Sequence, residues 1–260
     1  MMLKFWKMNG AGNDFMVMDI RGAKLDLAEM AVALCKLTGA DGFMATDVSD
    51  KADFKLHFYN ADGSRGEMCG NGARCICRFA FDNGIAEAEM TVETDAGIVE
   101  GRRLSENDYL VKLNNPSVVD LSRKGDIAYV ELGDPGVPHA VQEVKGLRWA
   151  MGEMLRENAK NLRYDAAFPK GANVNMFTRL DENTVRVLTY ERGVEDYTLA
   201  CGTGSASVAV TLWLKDQLPG GKLTLQNRGG DLNVTILGQD GVVKELYLEG
   251  PTEVVKIMDV

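Results

Sequence analysis

The sequence predicts an α+β protein built from two similar lobes. Short alternating strands and hairpins outnumber helical segments along the 260 residues. The stretches CGNGARC at 69–75 and CGTGSAS at 201–207 are each followed by a helical pattern. A strand and a polar turn precede both stretches, and the turns begin nine residues before Cys69 and nine before Cys201. A repeated unit of this kind predicts two lobes whose cysteines face one cleft.

Periodicity and turn residues define the elements of the first half. An edge strand is predicted over LKFWKM, where apolar and basic residues alternate, and a helix over DLAEMAVALCKLTG, ending near Gly39. A strand over ADFKLHFYN runs into the turn NADGS. The spacing then predicts a helix over 70–83, with Cys75, Ile76, Phe79 and Ala80 on one face and Gly84 as its C-cap, and a hairpin over MTVETDAGIVEGRRL.

The second half repeats this order after NNPS at 114–117, which is the best candidate boundary. Strands are predicted over AYVEL and HAVQEV, a helix over LRWAMGEMLRENAKNL, and paired strands over ANVNMFTRL and VRVLTYE. A second apolar helix follows over GSASVAVTLWLKD, and strands over LTLQNRGGDLNVTIL, VKELYLEG and TEVVKIM close the chain. We expect an N-terminal lobe of residues 1–114, completed by a C-terminal strand at about 249–260, a second lobe of residues 115–248, and an active site in the cleft between them.

Composition narrows the classes of function. The net charge is −9 without a dense Lys/Arg block, which argues against nucleic acid or an anionic membrane surface as a partner. No apolar run approaches the roughly 20 residues that span a bilayer, and the first residues lack a secretory signal pattern. The chain has five cysteines, and an odd count predicts reduced thiols. We therefore expect a cytoplasmic protein.

The positions of Cys69 and Cys201 suit proton transfer. Each lies at or just before a predicted helix N-terminus, where backbone N–H groups and the positive end of the helix dipole favour anions. We expect this environment to lower the pKa of both thiols, and a carboxylate to bind between the two helix starts. Two thiols on opposite sides of one carbon can invert it, because a thiolate removes a proton from one face and a thiol returns a proton to the other.

The same residues admit other interpretations. Cys69 with Cys75 and Cys77 suggests a metal site, but the spacing is not a zinc pattern and the residues lie on one helix. A redox pair lacks the usual Cys-X-X-Cys, and a Cys69–Cys201 disulfide needs a Cα separation below roughly 7 Å. Gly10-Ala-Gly12 lacks the third glycine of a dinucleotide fingerprint. A binding protein or a non-racemising isomerase would not need both thiols at mirrored positions.

The other cysteines and the histidines have simpler interpretations. Cys35, Cys75 and Cys77 are predicted to pack in the core as inert thiols. His57 lies within a predicted strand and is interpreted as structural. His139, in Gly-Val-Pro-His, is a candidate for lining the site.

Seven motifs together resemble the diaminopimelate epimerase family. They are MNGAGNDF at 8–15, NADGS at 60–64, MCGNGAR at 68–74, PH at 138–139, NV at 173–174, YERG at 190–193 and ACGTGS at 200–205. They span nearly the whole chain in the family's order. The resemblance implies two pseudo-symmetric lobes, each a curved, mostly antiparallel sheet wrapped around a central helix. It implies no pyridoxal phosphate, no other cofactor and no metal. It also implies conversion of LL-2,6-diaminopimelate to the meso form, which serves lysine and peptidoglycan synthesis, by an enzyme that forms a homodimer.

The resemblance also assigns site residues. It implies that Cys69 and Cys201 are the acid/base thiols. The reacting carboxylate is held by the helix-start residues Gly70, Asn71, Gly202 and Thr203. The amines and the distal carboxylate are held by Asn13, Asn60, Asn173, Glu191 and Arg192, and Arg192 can fork onto that carboxylate.

One position departs from the family pattern. Many members have Asn before the Pro-His pair, where this chain has Val137. A polar contact near the distal end of the substrate is thereby missing or replaced. The alternative function is a cofactor-independent racemase of a single amino acid on the same scaffold.

Overall fold

A computed structural model describes residues 4–66 and 69–259 of the chain. Leu3 of the first predicted strand, Met68 of the MCGNGAR motif and Val260 lie outside the described residues. The chain divides into two compact units. Unit 1 comprises Met1–Lys112 and Glu249–Val260, and unit 2 comprises Leu113–Leu248.

The elements alternate between strands and a few helices. The first nine are β1 (Lys4–Gly10), β2 (Asn13–Asp19), α1 (Leu27–Thr38), β3 (Gly42–Asp47), β4 (Phe54–Asn60), α2 (Gly70–Asp82), β5 (Glu89–Thr94), β6 (Gly97–Arg103) and β7 (Asp108–Leu113). They continue with β8 (Pro116–Lys124), β9 (Ile127–Leu132), β10 (Val137–Glu143), a short 3-10 helix (Trp149–Met151), α3 (Gly152–Arg163), β11 (Asn173–Arg179) and β12 (Thr184–Glu191). The last are β13 (Asp196–Tyr197), α4 (Gly202–Leu214), β14 (Lys222–Asn227), β15 (Gly230–Gln239), β16 (Val242–Pro251) and β17 (Glu253–Asp259).

The two units share one pattern of strand pairing. In unit 1, the antiparallel pair β1/β2 is followed by α1 and then by β3, which runs parallel to β2. The antiparallel pair β3/β4 is followed by α2 and then by β5, which runs parallel to β4. In unit 2, β9/β10 leads through α3 to the parallel strand β11, and β11/β12 leads through α4 to the parallel strand β14. The repeat that the sequence indicated is therefore present element by element within each unit.

The helices α2 and α4 are the central helices of their units. Every residue of α2 from Gly70 to Ala80 is buried, and α4 is buried from Gly204 to Leu212. The helix α2 packs on β1, β2, β3 and β6, and α4 packs on β9, β10, β11 and β15. The four residues predicted to share one face of α2, Cys75, Ile76, Phe79 and Ala80, are all buried, and the other side of the helix is buried as well because strands surround it.

Close backbone approach fixes the start of α2 against the end of β1. A Cβ added at Gly10 would lie 2.8 Å from Asn71 O and 2.9 Å from Cys75 Sγ. Only glycine fits at such a distance without moving the helix. The sheet thus determines where the first turn of α2 lies.

Three local predictions need correction. β1 pairs with both β2 and β17, so it is not an edge strand; its Lys7 donates to Thr38 O and pairs with Asp14 instead of facing open solvent. The helix predicted over LRWAMGEMLRENAKNL starts as a 3-10 turn at Trp149. β8 carries no apolar alternation and is largely exposed, which is why its sequence gave no strand signal. Among the described residues, no helix has the length and apolar character needed to cross a membrane.

Candidate active site

Cys69 caps the N-terminus of α2. Its backbone is extended, with φ −124° and ψ 122°, and its carbonyl accepts the first helical hydrogen bond from Ala73 N at 2.7 Å. The side chain is half-buried. Gly70 and Asn71 form the first turn, where backbone N–H groups have no partner within the helix. The sequence expectation of a thiol at a helix N-terminus is therefore met by the local geometry.

Cys201 occupies the same place on α4. Its φ of −126° and ψ of 114° are close to the −124° and 122° of Cys69, and its carbonyl accepts from Ser205 N at 2.9 Å. Its sulfur accepts a hydrogen bond from Gly204 N at 3.3 Å and lies 3.6 Å from Thr203 Oγ1. The first turn of α4 therefore directs a backbone donor at the sulfur of Cys201.

Two of the predicted binding residues of unit 1 contact each other. Asn71 Nδ2 donates to Asn13 Oδ1 at 2.7 Å, and Asn13 Nδ2 donates to Asp41 Oδ2 at 3.3 Å. On its other side, Asn71 Oδ1 accepts from Arg74 Nη2 at 3.0 Å. The result is a continuous hydrogen-bonded chain from the first turn of α2 to the loop before β3.

Asn60 lies at the exposed end of β4. Its Nδ2 donates to Ser64 Oγ at 3.0 Å, and its backbone closes the NADGS turn by donating to Ser64 O. The sheet register places Asn60 opposite Gly42, the residue that follows Asp41. Asn60 is therefore at the same end of the sheet as Asn13, without a direct contact between their side chains among the described hydrogen bonds.

The predicted distal residues of unit 2 also lie together. The buried Asn173 begins β11, and its Oδ1 accepts from Arg192 N at 2.8 Å, while its Nδ2 donates to Pro138 O at 3.3 Å. Arg192 Nη1 donates to Lys170 O at 3.0 Å on an exposed surface. Glu191, the last residue of β12, is half-buried. Backbone and side-chain bonds thus join three strand ends around Asn173.

His139 is fully buried in β10. Asn175 Nδ2 lies 3.2 Å from its Nδ1, and Asn175 Oδ1 accepts from Thr189 Oγ1 at 3.0 Å. Burial, with a smaller contribution from Arg192, lowers the pKa of His139 to about 3, so its imidazole is neutral at physiological pH. Asn175 was not identified from the sequence, although a polar residue in the apolar strand NVNMFTR is a signal that could have found it.

The other three cysteines, Cys35, Cys75 and Cys77, are in environments that make their thiols unreactive. Burial raises the pKa of Cys75 and Cys77 to about 12, and that of Cys35 to about 11. They stay protonated at physiological pH, in agreement with their predicted role in the core. None of the five cysteines forms a disulfide, and the described residues contain no group of three His, Cys, Asp or Glu side chains suited to a metal ion.

The family of the chain follows from sequence comparison. The model of the diaminopimelate epimerase family matches residues 5–119 and 132–255. The chain belongs to the diaminopimelate epimerase family. The diaminopimelate epimerase of Aquifex aeolicus is 36% identical over 268 residues, covering 95% of this chain and 94% of the relative. That of Methanocella arvoryzae is 36% identical over 279 residues, covering 97% and 95%. The resemblance drawn from the seven motifs is thereby confirmed, and the chain is an isomerase of the epimerase type.

Solved structures share the fold at low sequence identity. A hydroxyproline epimerase from Agrobacterium vitis, with bound trans-4-hydroxy-L-proline, has a TM-score of 0.71 at 18% identity and covers 100% of this chain and 91% of its own. A PhzF-family phenazine biosynthesis protein from Bacillus anthracis has a TM-score of 0.70 at 14% identity, with 100% and 99% covered. These similarities concern the fold alone, and they confirm the predicted α+β class of the diaminopimelate epimerase type.

Proposed function

We propose that the chain interconverts LL- and meso-2,6-diaminopimelate, with one thiolate removing the α-proton and a second thiol giving its own proton to the opposite face. The family supports the substrate, because the relatives of similar length carry that activity in their names. One observation supports the two-thiol mechanism above all. Cys69 and Cys201 are the N-cap residues of equivalent central helices in two repeated units, and both have an extended backbone.

The reaction needs one thiolate and one thiol. The thiolate takes the α-proton, the electron pair stays on the α-carbon, and the second thiol gives its proton to the opposite face of that carbon. The protonation states of the two sulfurs are exchanged at the end, so either stereoisomer can be the substrate. Both sulfurs must reach the same α-carbon from opposite sides.

The helix starts would stabilise the charge that develops. An α-proton is a very weak acid, and the carbanion shares its charge with the α-carboxylate. The N–H groups of Gly70 and Asn71, with those of Gly202 and Thr203, are fixed dipoles at two helix N-termini. Such preorganised donors stabilise a charge as it forms without any reorganisation of solvent.

The far end of the substrate would be held by the polar strand ends. Arg192 has a guanidinium on an exposed surface, anchored at Nη1 by Lys170 O, and its fork suits a distal carboxylate. Asn13, Asn60, Asn173 and Glu191 supply the oxygen acceptors that ammonium groups require. These assignments rest on the family motifs and on residue chemistry.

A single-amino-acid racemase is the second candidate. Val137, half-buried at the start of β10, provides no polar contact where many family members have Asn. Comparison of kcat/KM for LL-diaminopimelate with a panel of monocarboxylic amino acids separates the two candidates. Diaminopimelate is expected to be the better substrate, since a monocarboxylic amino acid leaves Arg192 without its anion. A monocarboxylic amino acid that equals it would show a racemase.

Incubation of diaminopimelate in D₂O with a reductant tests the reaction type. We expect formation of the other stereoisomer together with deuterium at the α-carbon. Location in the cytoplasm and formation of a homodimer stay predictions.

A further inference from the structure

Arg74 is a buried cation at the start of α2. It is among the largest fully buried side chains of the protein, and burial lowers its pKa from the ordinary arginine value. Among residues 4–66 and 69–259, it forms no ion pair. It donates from Nη1 to Gly70 O at 3.2 Å and from Nη2 to Asn71 Oδ1 at 3.0 Å. Burial of a guanidinium is costly, so its presence at this position needs an explanation.

The contact with Asn71 fixes the direction of a whole hydrogen-bonded chain. A guanidinium only donates, so Asn71 must turn its oxygen to Arg74 and its NH₂ group to Asn13. Asn13 must then accept with Oδ1 and point its own NH₂ group at Asp41, whose carboxylate only accepts. Because the two ends of the chain are an obligate donor and an obligate acceptor, neither amide can flip without losing hydrogen bonds at both of its ends.

The direction matters for the ligand that these amides are expected to bind. In the observed orientation, the oxygen of Asn13 lies on the side of Asn71, and a carbonyl oxygen has two lone pairs. An ammonium group of the substrate is a donor, so it requires that oxygen and is repelled by an NH₂ group.

The helix α4 has no equivalent of Arg74. Five residues after Cys69 comes Arg74, whereas five residues after Cys201 comes Ala206. The backbone of the first turn therefore does not need a buried arginine, since α4 forms the same N-cap without one. The function of Arg74 must be specific to the side chains around α2.

We propose that Arg74 is a positioning residue that orients the amides of Asn71 and Asn13 for substrate binding. This role rests on the proposed function, in which both asparagines contact diaminopimelate. In this role Arg74 acts through Asn71, and Cys69 lies close enough to raise the pKa of Arg74 against the effect of burial.

A double-mutant cycle in kcat/KM tests this role. Asn71→Ala and Arg74→Met are each expected to reduce kcat/KM by about 10- to 100-fold, as for loss of one hydrogen bond to a charged group, mainly through a higher KM. In the Asn71→Ala background, Arg74→Met should change kcat/KM by less than about threefold, because residues that act through one contact are not additive. Arg74→Lys keeps a donor for Asn71 Oδ1 and should recover part of the loss.

Arg78 provides the matched control. It is a buried arginine one turn further along α2, and it donates to Thr252 O at 2.6 Å and to Asn107 Oδ1 at 2.9 Å, away from Asn71. Arg78→Met should lower the melting temperature, leave KM within about twofold, and combine multiplicatively with Asn71→Ala.

Losses that multiply in Arg74→Met/Asn71→Ala, or an unchanged KM in Arg74→Met, would overturn the proposal. If Arg74→Met does not fold, Arg74→Lys takes its place in the cycle, and the smaller loss expected from this variant should disappear in the Asn71→Ala background. Failure of the two-thiol mechanism would be recognised separately, because it appears as turnover in Cys69→Ala, and the cycle measures kcat/KM whichever group is the base.

Discussion

The starts of α2 and α4 have the same backbone and different side chains. Both begin with a cysteine in extended conformation followed by Gly-X-Gly, and both are buried against the strands of their own unit. At the start of α2, the side chain of Arg74 carries a buried positive charge. The side-chain amides of Asn71 and Asn13 link it through hydrogen bonds to Asp41. Around α4, the sulfur itself receives a backbone hydrogen bond from Gly204.

The comparison distinguishes the features that occur at both helix starts from those that occur at only one. In the proposed mechanism, a thiol is required on each face of the α-carbon, and both units have a cysteine at the start of their central helix. The groups attached to that carbon differ, so the polar side chains around the two helix starts differ as well. Repetition of the backbone and divergence of the side chains are therefore the expected result of one unit serving two sides of an asymmetric substrate.

The largest expected effect comes from removal of either thiol. Cys69→Ala and Cys201→Ala should each reduce the rate of epimerisation by about 10³-fold or more, because inversion needs a proton donor and acceptor on each face. The measurement is the rate of stereoisomer formation. Cys35→Ala, which removes a buried thiol with a raised pKa, is the matched control and should keep near-normal turnover. Full turnover in either Cys69→Ala or Cys201→Ala would show that the thiols at the two helix starts do not both take part in the reaction.

The equivalent glycines Gly72 and Gly204 test the difference between the two first turns. A Cβ at Gly204 would lie 2.1 Å from Asn175 Oδ1 and 3.2 Å from Cys201 Sγ, whereas at Gly72 the nearest atom is Met44 Sδ at 3.2 Å. Gly204→Ala should therefore destabilise the protein by about 1–3 kcal/mol and disturb the donor to Cys201, with Gly72→Ala milder. Denaturant unfolding and kcat measure the pair. Equal effects would show that the two turns are packed alike.

Sequence patterns predicted much of this architecture, for identifiable reasons. The helix α1 ends at Gly39, which has a φ of 69°, and the hairpin β5/β6 turns before Gly97, because both positions need a backbone that glycine adopts easily. The positions of Cys69 and Cys201 at helix N-termini followed from the glycines after each cysteine.

Long-range packing accounts for what the patterns missed. Whether β1 has one neighbour or two depends on β17, which lies at the other end of the chain. The same dependence on distant strands hid the burial of α2 from Gly70 to Ala80, and with it the burial of Arg74. Asn175 and His139 contact each other only because β10 and β11 are parallel neighbours.

Exchange of Arg192 for lysine is expected to have an intermediate effect. Arg192→Lys keeps the charge and loses the planar fork, so KM should rise by roughly 10-fold, with a smaller decrease in kcat. Steady-state kinetics with diaminopimelate measure both. Arg179→Lys, at a half-buried arginine that donates to Gln217 O, is the control with an expected normal KM. An unchanged KM in Arg192→Lys would remove Arg192 from the proposed distal site.

The smallest effect concerns the pH dependence of stability. His139 has a pKa lowered by burial to about 3, against 6.5 for the unburied group, so the unfolded chain binds one more proton between these values. The free energy of unfolding therefore rises with pH through this window and falls on acidification, by up to about 1.4 kcal/mol per pH unit. His139→Gln should flatten the difference between pH 7 and pH 5 in denaturant unfolding. His57→Gln, at a partly buried histidine of β4 that contacts Asp47, is the control. The same slope in wild type and His139→Gln would show that His139 is not buried in its neutral form.

The distribution of deuterium between product and recovered substrate tests the two-thiol mechanism most directly. LL-Diaminopimelate is incubated with the wild-type enzyme in D₂O under reducing conditions, and both stereoisomers are isolated after a few per cent of conversion. The base thiol holds the proton that it took from the substrate, and the acid thiol delivers deuterium from solvent. The account predicts meso product with one deuterium at the inverted carbon and recovered LL substrate without deuterium. Product that retains the substrate's own proton, or deuterium that enters recovered substrate as fast as product, would contradict the assignment of one thiol to each face.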